Sequence, residues 1–81
     1  MSLKEYVDVV IYHRKDGQIK PLYIVWHNGV EYPIDKVMQI TRAASLRAGG
    51  TGIRYTCLIQ GSQRYLFLEE DRWFIEKKEE K

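Results

Sequence analysis

Residues 4–34 read KEYVDVVIYHRKDGQIKPLYIVWHNGVEYPI, and this stretch decides the fold. In residues 4–14, apolar β-branched side chains at Val7, Val9 and Ile11 fall on one parity, and Tyr6, Asp8, Val10 and Tyr12 fall on the other. Alternation with a period of two among β-branched and aromatic residues is typical of a β-strand. The chain is therefore expected to begin with a strand.

Two turn signals divide the rest of this stretch. Lys15-Asp16-Gly17 predicts a turn, because glycine accepts a positive φ and aspartate favours turn positions. Residues 19–27 predict a second strand with Leu22, Ile24 and Trp26 on one face. Pro21 has no N–H for the ladder, so that strand begins late or lies at an edge there. Asn28-Gly29 favours a type I′ hairpin, after which residues 30–34 return as a strand.

Beyond residue 34 the pattern is less uniform. Residues 35–44 fit either a short helix capped by Asp35 or an extended strand, and we favour an extended or bent strand that continues the hairpin. The glycine-rich residues 45–52 predict a loop. Strands are expected at residues 53–60, 64–69 and 72–76, with turns at 61–63 and 70–71. Residues 76–81 are all charged and are expected to form a frayed tail.

These segments predict one small domain over residues 1–81. A meander of short strands must roll up to bury one face, because a flat small sheet leaves its edges open. The expected fold is all-β, with at most one short helix: a small, highly twisted antiparallel barrel or roll of about six strands.

Composition limits the location and the cofactors. The longest uninterrupted apolar run, residues 22–26, has five residues, whereas a membrane helix needs about 20. Charged residues interrupt the first residues, so no secretory signal is expected. Cys57 is the only cysteine, which excludes an internal disulfide and fits a reducing, cytoplasmic location. One cysteine and two histidines do not make a four-ligand zinc cluster, and we expect no metal, cofactor or membrane contact.

Candidate catalytic residues are few. Cys57 with His13 or His27 has the residue types of a nucleophile and its base. Cys57, however, shares the parity of Ile53, Tyr55 and Ile59, which favours a buried thiol in a core stripe. The acidic run Glu69-Glu70-Asp71 falls in a predicted turn, where solvated charges are the ordinary state. The sequence therefore predicts a protein that is not an enzyme, with no catalytic residues.

The charge distribution suggests a nucleic-acid partner. Residues 36–68 contain no acidic residue and five basic ones, whereas residues 1–35 carry a net charge of −1 and residues 69–81 one of −2. Arginine suits phosphate because its planar fork donates two parallel hydrogen bonds. The candidate contacts are Arg42, Arg47, Arg54 and Arg64. The glycine-rich loop around Arg47 is not a Walker loop, since a strand follows it, but its amides offer a mobile anion contact.

The aromatic residues suggest a different class of function. Trp73 and Phe74 are adjacent, so in a strand one points inward and the other outward. An outward ring near Tyr65 would create an exposed apolar patch, which in small proteins marks a protein partner or a homodimer. Trp73, Phe74 and Tyr65 are therefore the candidate interaction surface.

Part of the chain resembles a known group of proteins. The resemblance rests on residues 26–37 (WHNGVEYPIDKV), 49–55 (GGTGIRY), 66–69 (LFLE) and 72–74 (RWF). The chain resembles small uncharacterised β-rich proteins of Gram-positive bacteria, some encoded beside Y-family DNA polymerases. The resemblance carries over no catalytic residue, and it implies a non-enzymatic role near DNA damage tolerance. The leading hypothesis is a non-catalytic β-barrel module that contacts nucleic acid; the alternative is a protein-interaction or homodimer module.

Overall fold

The computed structural model describes residues 4–42 and 52–76, and in these residues it contains seven antiparallel strands and no helix. The strands are β1 (Lys4–His13), β2 (Ile19–Val25), β3 (Glu31–Pro33), β4 (Lys36–Arg42), β5 (Ile53–Ile59), β6 (Ser62–Glu69) and β7 (Arg72–Glu76). Together they form one strongly curled sheet, a half-barrel. The predicted small, twisted antiparallel all-β fold is confirmed, with seven strands in place of about six.

The sheet consists of two meanders, β1–β3 and β4–β7, which the pairing of β1 with β7 joins side by side. The sheet runs β3-β2-β1-β7-β6-β5-β4, so each strand pairs with its chain neighbour except at β3 and β4. The closing pair is β1 with β7, where Lys4 lies opposite Glu76 and Val7 opposite Trp73. Glu76 therefore ends a paired strand, whereas residues 77–81 of the predicted tail lie outside the described residues.

The opening of the half-barrel lies between β3 and β4, and a two-residue connection spans it. The Ile34 amide donates to the Leu22 carbonyl at 2.9 Å, on the β2 side. The next amide, that of Asp35, donates to the Leu58 carbonyl at 2.8 Å, on the β5 side. The Asp35 carboxylate also accepts from the Gln60 amide at 3.1 Å. This connection holds the two ends of the curled sheet together.

The ambiguous residues 35–44 form a strand where the structure describes them. β4 pairs with β5 along its length, and the register skips Met38 as a bulge between Val37 and Gln39. The favoured prediction of an extended strand is thus confirmed for residues 36–42, while residues 43 and 44 lie outside the described range. The expectation that this strand continues the preceding hairpin is wrong, because β4 pairs with β5 and lies at the opposite edge of the sheet from β3. The β-branched residues of this strand suit a pleated, half-buried surface better than a helix.

One side of the sheet, which we call the inner face, carries the core. Its buried cluster consists of Ile24, Tyr55, Cys57, Ile59, Leu66, Leu68 and Trp73. The predicted stripe on β5 is confirmed, and Trp26 packs against the cluster as expected. Leu22 was expected in that row, but the β1–β2 register skips it: Val10 pairs with Tyr23 and Ile11 with Pro21. The bulge explains how Pro21 sits buried within a paired strand.

The opposite side, the outer face, carries a second, smaller apolar layer. Phe67 and Phe74 are only 3% and 2% exposed, lie opposite each other on β6 and β7, and stack with ring centroids 5.0 Å apart. Tyr6 meets the Phe74 ring edge-on at 5.8 Å. The sheet is therefore apolar on both faces where β1, β7 and β6 lie side by side.

Two predicted turns differ in detail from the structure. At Asn28-Gly29 the loop is longer than a two-residue type I′ turn. The Gly29 amide donates to the Trp26 carbonyl at 2.8 Å, and the Trp26 amide donates to the Val30 carbonyl at 2.9 Å. Only Gly29 has a positive φ, of 84°, as in a three-residue loop that ends in a glycine bulge. The Asn28 side chain accepts from the Val30 amide at 3.0 Å, which favours this longer loop.

The Lys15-Asp16-Gly17 turn is confirmed and is built in the same way. Gly17 has a φ of 95°, and the Asp16 carboxylate accepts from the Gln18 amide at 3.0 Å.

The turn predicted at residues 61–63 begins one residue earlier. Gln60 and Gly61 both have a positive φ, 51° and 78°, so Ser62 already belongs to β6.

Candidate functional site

The four predicted arginines do not form a single patch among the described residues. Directly opposite residues of an antiparallel pair share a face. Arg42 lies opposite Ile53 and Arg64 lies opposite Cys57, so both arginines are on the inner face. Both are nevertheless exposed to solvent. Arg54 lies opposite Thr41 on the outer face. Arg47 lies outside the described residues.

Arg54 packs on the outer face as its parity predicted. Its guanidinium carbon lies 4.7 Å from the centre of the Tyr65 ring. Its Nε is buried and has no hydrogen-bond partner among the described residues. The cation lies over the ring, as in a cation–π contact, and the guanidinium has further N–H donors for a ligand.

A second guanidinium stacks on the same face. The Arg72 guanidinium carbon lies 3.7 Å from the centre of the Tyr6 ring, and the Lys4 ammonium lies 5.0 Å from the centre of the Phe74 ring. Lys4 also donates to both carboxylate oxygens of Glu69, at 2.9 and 3.0 Å, and the Tyr6 hydroxyl donates to Glu69 at 3.4 Å. The hydrogen bond from Lys4 is the main cause that lowers the pKa of Glu69.

These contacts identify functional candidates that the sequence did not single out. Lys4 and Tyr6 are near one end of the chain and Arg72 is near the other, and only the β1–β7 pairing brings them together. The parity of Tyr6 against Val7 was the available signal, since it placed the ring on the face opposite the core. Glu69, expected as a solvated turn residue, instead pairs with Lys4.

Four of the six tyrosines are exposed, and all four lie on the outer face. They are Tyr6, Tyr12, Tyr23 and Tyr65, with exposed fractions of 42, 57, 39 and 41%. Lys20 lies opposite Tyr12, and so it shares their face. We call this set of four tyrosines with Lys20, Arg54 and Arg72 the tyrosine–arginine face. It interleaves aromatic rings with cations across β2, β1, β7, β6 and β5.

The candidate interaction surface is mostly buried. Trp73 and Phe74 point to opposite faces as predicted, yet they are only 8% and 2% exposed. The expected exposure of one ring is not found, because the outer layer packs around Phe74 as the core packs around Trp73. Of the three residues, Tyr65 alone is exposed.

Cys57 has the surroundings of a core residue. Its side chain is fully buried, and its thiol donates to the Tyr55 carbonyl oxygen at 3.6 Å. Burial raises the pKa of the Cys57 thiol to about 11. His13 and His27 are exposed, and the His27 ring lies against the Trp26 ring with centroids 4.9 Å apart.

Two further features concern ions and membranes. Within residues 4–42 and 52–76, no three histidine, cysteine, aspartate or glutamate side chains group as they would around a metal ion. The same part of the chain has no helix that is long and apolar enough to cross a membrane.

Comparison of the chain with protein-family models, with curated proteins and with solved structures gives no significant match. The functional argument therefore rests on the geometry of the tyrosine–arginine face.

Proposed function

We propose that the protein is a non-catalytic binding module whose tyrosine–arginine face binds single-stranded nucleic acid. The observation that carries the proposal is the placement of four exposed tyrosines and three cations on one face of a small barrel. Exposed aromatic rings stack on bases, and neighbouring cations neutralise the phosphates.

The two stacked guanidinium groups are suited to this ligand. The guanidinium carbons of Arg54 and Arg72 lie over the rings of Tyr65 and Tyr6, at 4.7 and 3.7 Å from the ring centres. An immobilised guanidinium loses less side-chain entropy on contact with a phosphate than a free one does. The same plane offers a stacking surface for a base.

Fluorescence anisotropy of a labelled oligothymidine of about 15 nucleotides, over a salt series, tests the proposal. The logarithm of the affinity is expected to fall with the logarithm of the salt concentration, by about 0.7 for each phosphate neutralised. The double variant Arg54→Gln/Arg72→Gln should weaken binding at least ~10-fold and reduce the slope by about 1.4. Tyr65→Leu should also weaken binding, whereas Tyr65→Phe keeps the ring and should bind normally.

The matched control is the double variant Arg42→Gln/Arg64→Gln, which removes the same charge from inner-face positions. The loss of two positive charges by itself weakens binding to nucleic acid to some extent. Apart from that effect, this variant should change the affinity by less than about threefold. Thermal unfolding of every variant separates lost contacts from lost folding. Absence of binding at low salt, or an equal loss in both double variants, would overturn the proposal.

A further inference from the structure

A carboxylate lies among the cations of the outer face. Glu69 ends β6, and Arg72 lies directly opposite it at the start of β7. Opposite residues of an antiparallel pair share a face, so Glu69 is on the same side of the sheet as Arg72. By charge alone, this carboxylate repels the phosphates of a bound strand and weakens binding. The contacts that Glu69 makes indicate an effect of the opposite sign.

The Glu69 carboxylate reaches across β7 to two side chains of β1. It accepts two hydrogen bonds from the Lys4 ammonium, at 2.9 and 3.0 Å, and one from the Tyr6 hydroxyl at 3.4 Å. The Lys4 ammonium lies 5.0 Å from the centre of the Phe74 ring, so the ion pair passes over β7. Glu69 therefore ties β6 to β1 through side chains of the outer face.

Tyr6 is in turn the surface on which Arg72 lies. The Arg72 guanidinium carbon is 3.7 Å from the centre of the Tyr6 ring. The hydrogen bond from Lys4 and, to a lesser degree, the positive charge of Arg72 lower the pKa of Glu69, so the carboxylate also attracts the guanidinium. The ring is held by Glu69 at its hydroxyl and by Phe74 at its edge, and the guanidinium is held by the ring and the carboxylate together.

We propose that Glu69 is a positioning residue, which holds the Tyr6 ring and the Arg72 guanidinium in the arrangement that contacts nucleic acid. This inference rests on the proposed function. Without the carboxylate, the ring and the guanidinium have more conformations, and the cost of ordering them opposes binding. Removal of this negative charge should then weaken the binding of a polyanion, whereas electrostatic repulsion alone predicts tighter binding.

Glu70 provides a matched control, because it is the next residue and is exposed. Glu69→Gln and Glu70→Gln each remove one negative charge from the same hairpin. In the anisotropy assay with labelled oligothymidine, Glu70→Gln should strengthen binding by about twofold. Glu69→Gln should weaken binding at least ~3-fold and reduce the salt slope by about 0.7, the contribution of one phosphate contact.

The NMR signal of the Arg72 Nε–H group reports the position of the guanidinium without nucleic acid. The ring current of Tyr6 shifts this signal, and Tyr6→Leu gives its position in the absence of the ring. Glu69→Gln should move the signal towards that position, and Glu70→Gln should leave it in place. Tyr6→Phe keeps the ring and removes its hydrogen bond to Glu69, so it should move the signal in the same direction by less. Thermal unfolding shows which variants are folded.

The outcomes separate this inference from the proposed function. Absence of oligothymidine binding by the wild-type chain would overturn the proposed function, on which this inference rests. Two results would overturn this inference alone. One is Glu69→Gln that binds as tightly as the wild-type chain or more tightly, and the other is an Arg72 signal that neither Glu69→Gln nor Tyr6→Phe moves.

Discussion

Cys57 and Tyr55 lie next to each other in the core face of β5, and burial acts on both in the same direction. Desolvation raises the pKa of Tyr55, and it raises the pKa of the Cys57 thiol to about 11. A thiol reacts as the thiolate, which this environment disfavours. The residue therefore fills space in the core, as a small hydrophobic side chain does.

We expect the folded protein to resist thiol reagents at about pH 8, and the protein unfolded in urea to react at once. Prompt stoichiometric labelling of the folded chain would contradict this prediction.

Stability should also depend on pH through this group. The unfolded thiol loses its proton near its ordinary pKa of 9.0 and the folded thiol near 11, so the unfolded state binds fewer protons between these values. The free energy of unfolding should then fall as pH rises from 9 to 11, by at most about 1.4 kcal/mol per pH unit from this group. Denaturant unfolding of Cys57→Ala, which removes this contribution, should show a shallower dependence; an unchanged slope would contradict the assignment.

At the scale of the elements, the β5–β6 hairpin has a two-residue turn, Gln60-Gly61, and Gln60 is poorly suited to it. Gln60 adopts a φ of 51°, in the left-handed region that glycine and asparagine accept more readily. Its backbone amide is meanwhile bonded to the Asp35 carboxylate. A substitution that keeps this amide and suits the turn should stabilise the protein.

We expect Gln60→Asn to raise the free energy of unfolding by about 0.5 kcal/mol, because Asn-Gly is the favoured type I′ pair. Urea unfolding measures the change. Gln39→Asn, at an exposed position inside β4, makes the same chemical change in an extended strand and should be neutral or slightly destabilising. Equal effects at both positions would show that turn geometry is not the cause.

For the whole molecule, closure of the half-barrel depends on a few polar contacts between the ends of the sheet. The amides of Ile34 and Asp35 bond to β2 and to β5, and the Asp35 side chain bonds to the turn after β5. Substitutions other than proline leave the two backbone donors in place. The side chain therefore offers the means to test how closure contributes to stability.

We expect Asp35→Ala to lower the free energy of unfolding by about 1 kcal/mol, because the Gln60 amide loses its acceptor. Asp35→Asn keeps a carbonyl oxygen at the same place and should recover most of this loss. Urea unfolding compares the two, and hydrogen exchange of the Gln60 amide reports the bond directly. If Asn and Ala cost the same, the hydrogen bond does not hold the closure.

Much of the local structure could be predicted because strand geometry imposes a period of two on the chain. This period by itself predicts that Cys57 faces the core and that Arg54 faces the opposite side of the sheet, with no knowledge of which strands pair. It failed at Leu22, where a bulge breaks the alternation, and it did not reveal the bulge at Met38. A bulge depends on the partner strand, so a single strand's pattern does not predict it.

The candidate site was less predictable than the fold, because it depends on which strands lie side by side. The predicted arginines are near one another in the chain, but Arg42 and Arg54 point to opposite faces across one pair of strands. Arg72 joins the site only through the β1–β7 contact, which links residues more than sixty positions apart.

Alternation and turn residues, which are local, determined by themselves that this chain forms antiparallel strands with a buried stripe. Strand neighbours, the second apolar layer around Phe74 and the tyrosine–arginine face were decided only by the tertiary structure, because long-range pairing selects which side chains share a surface.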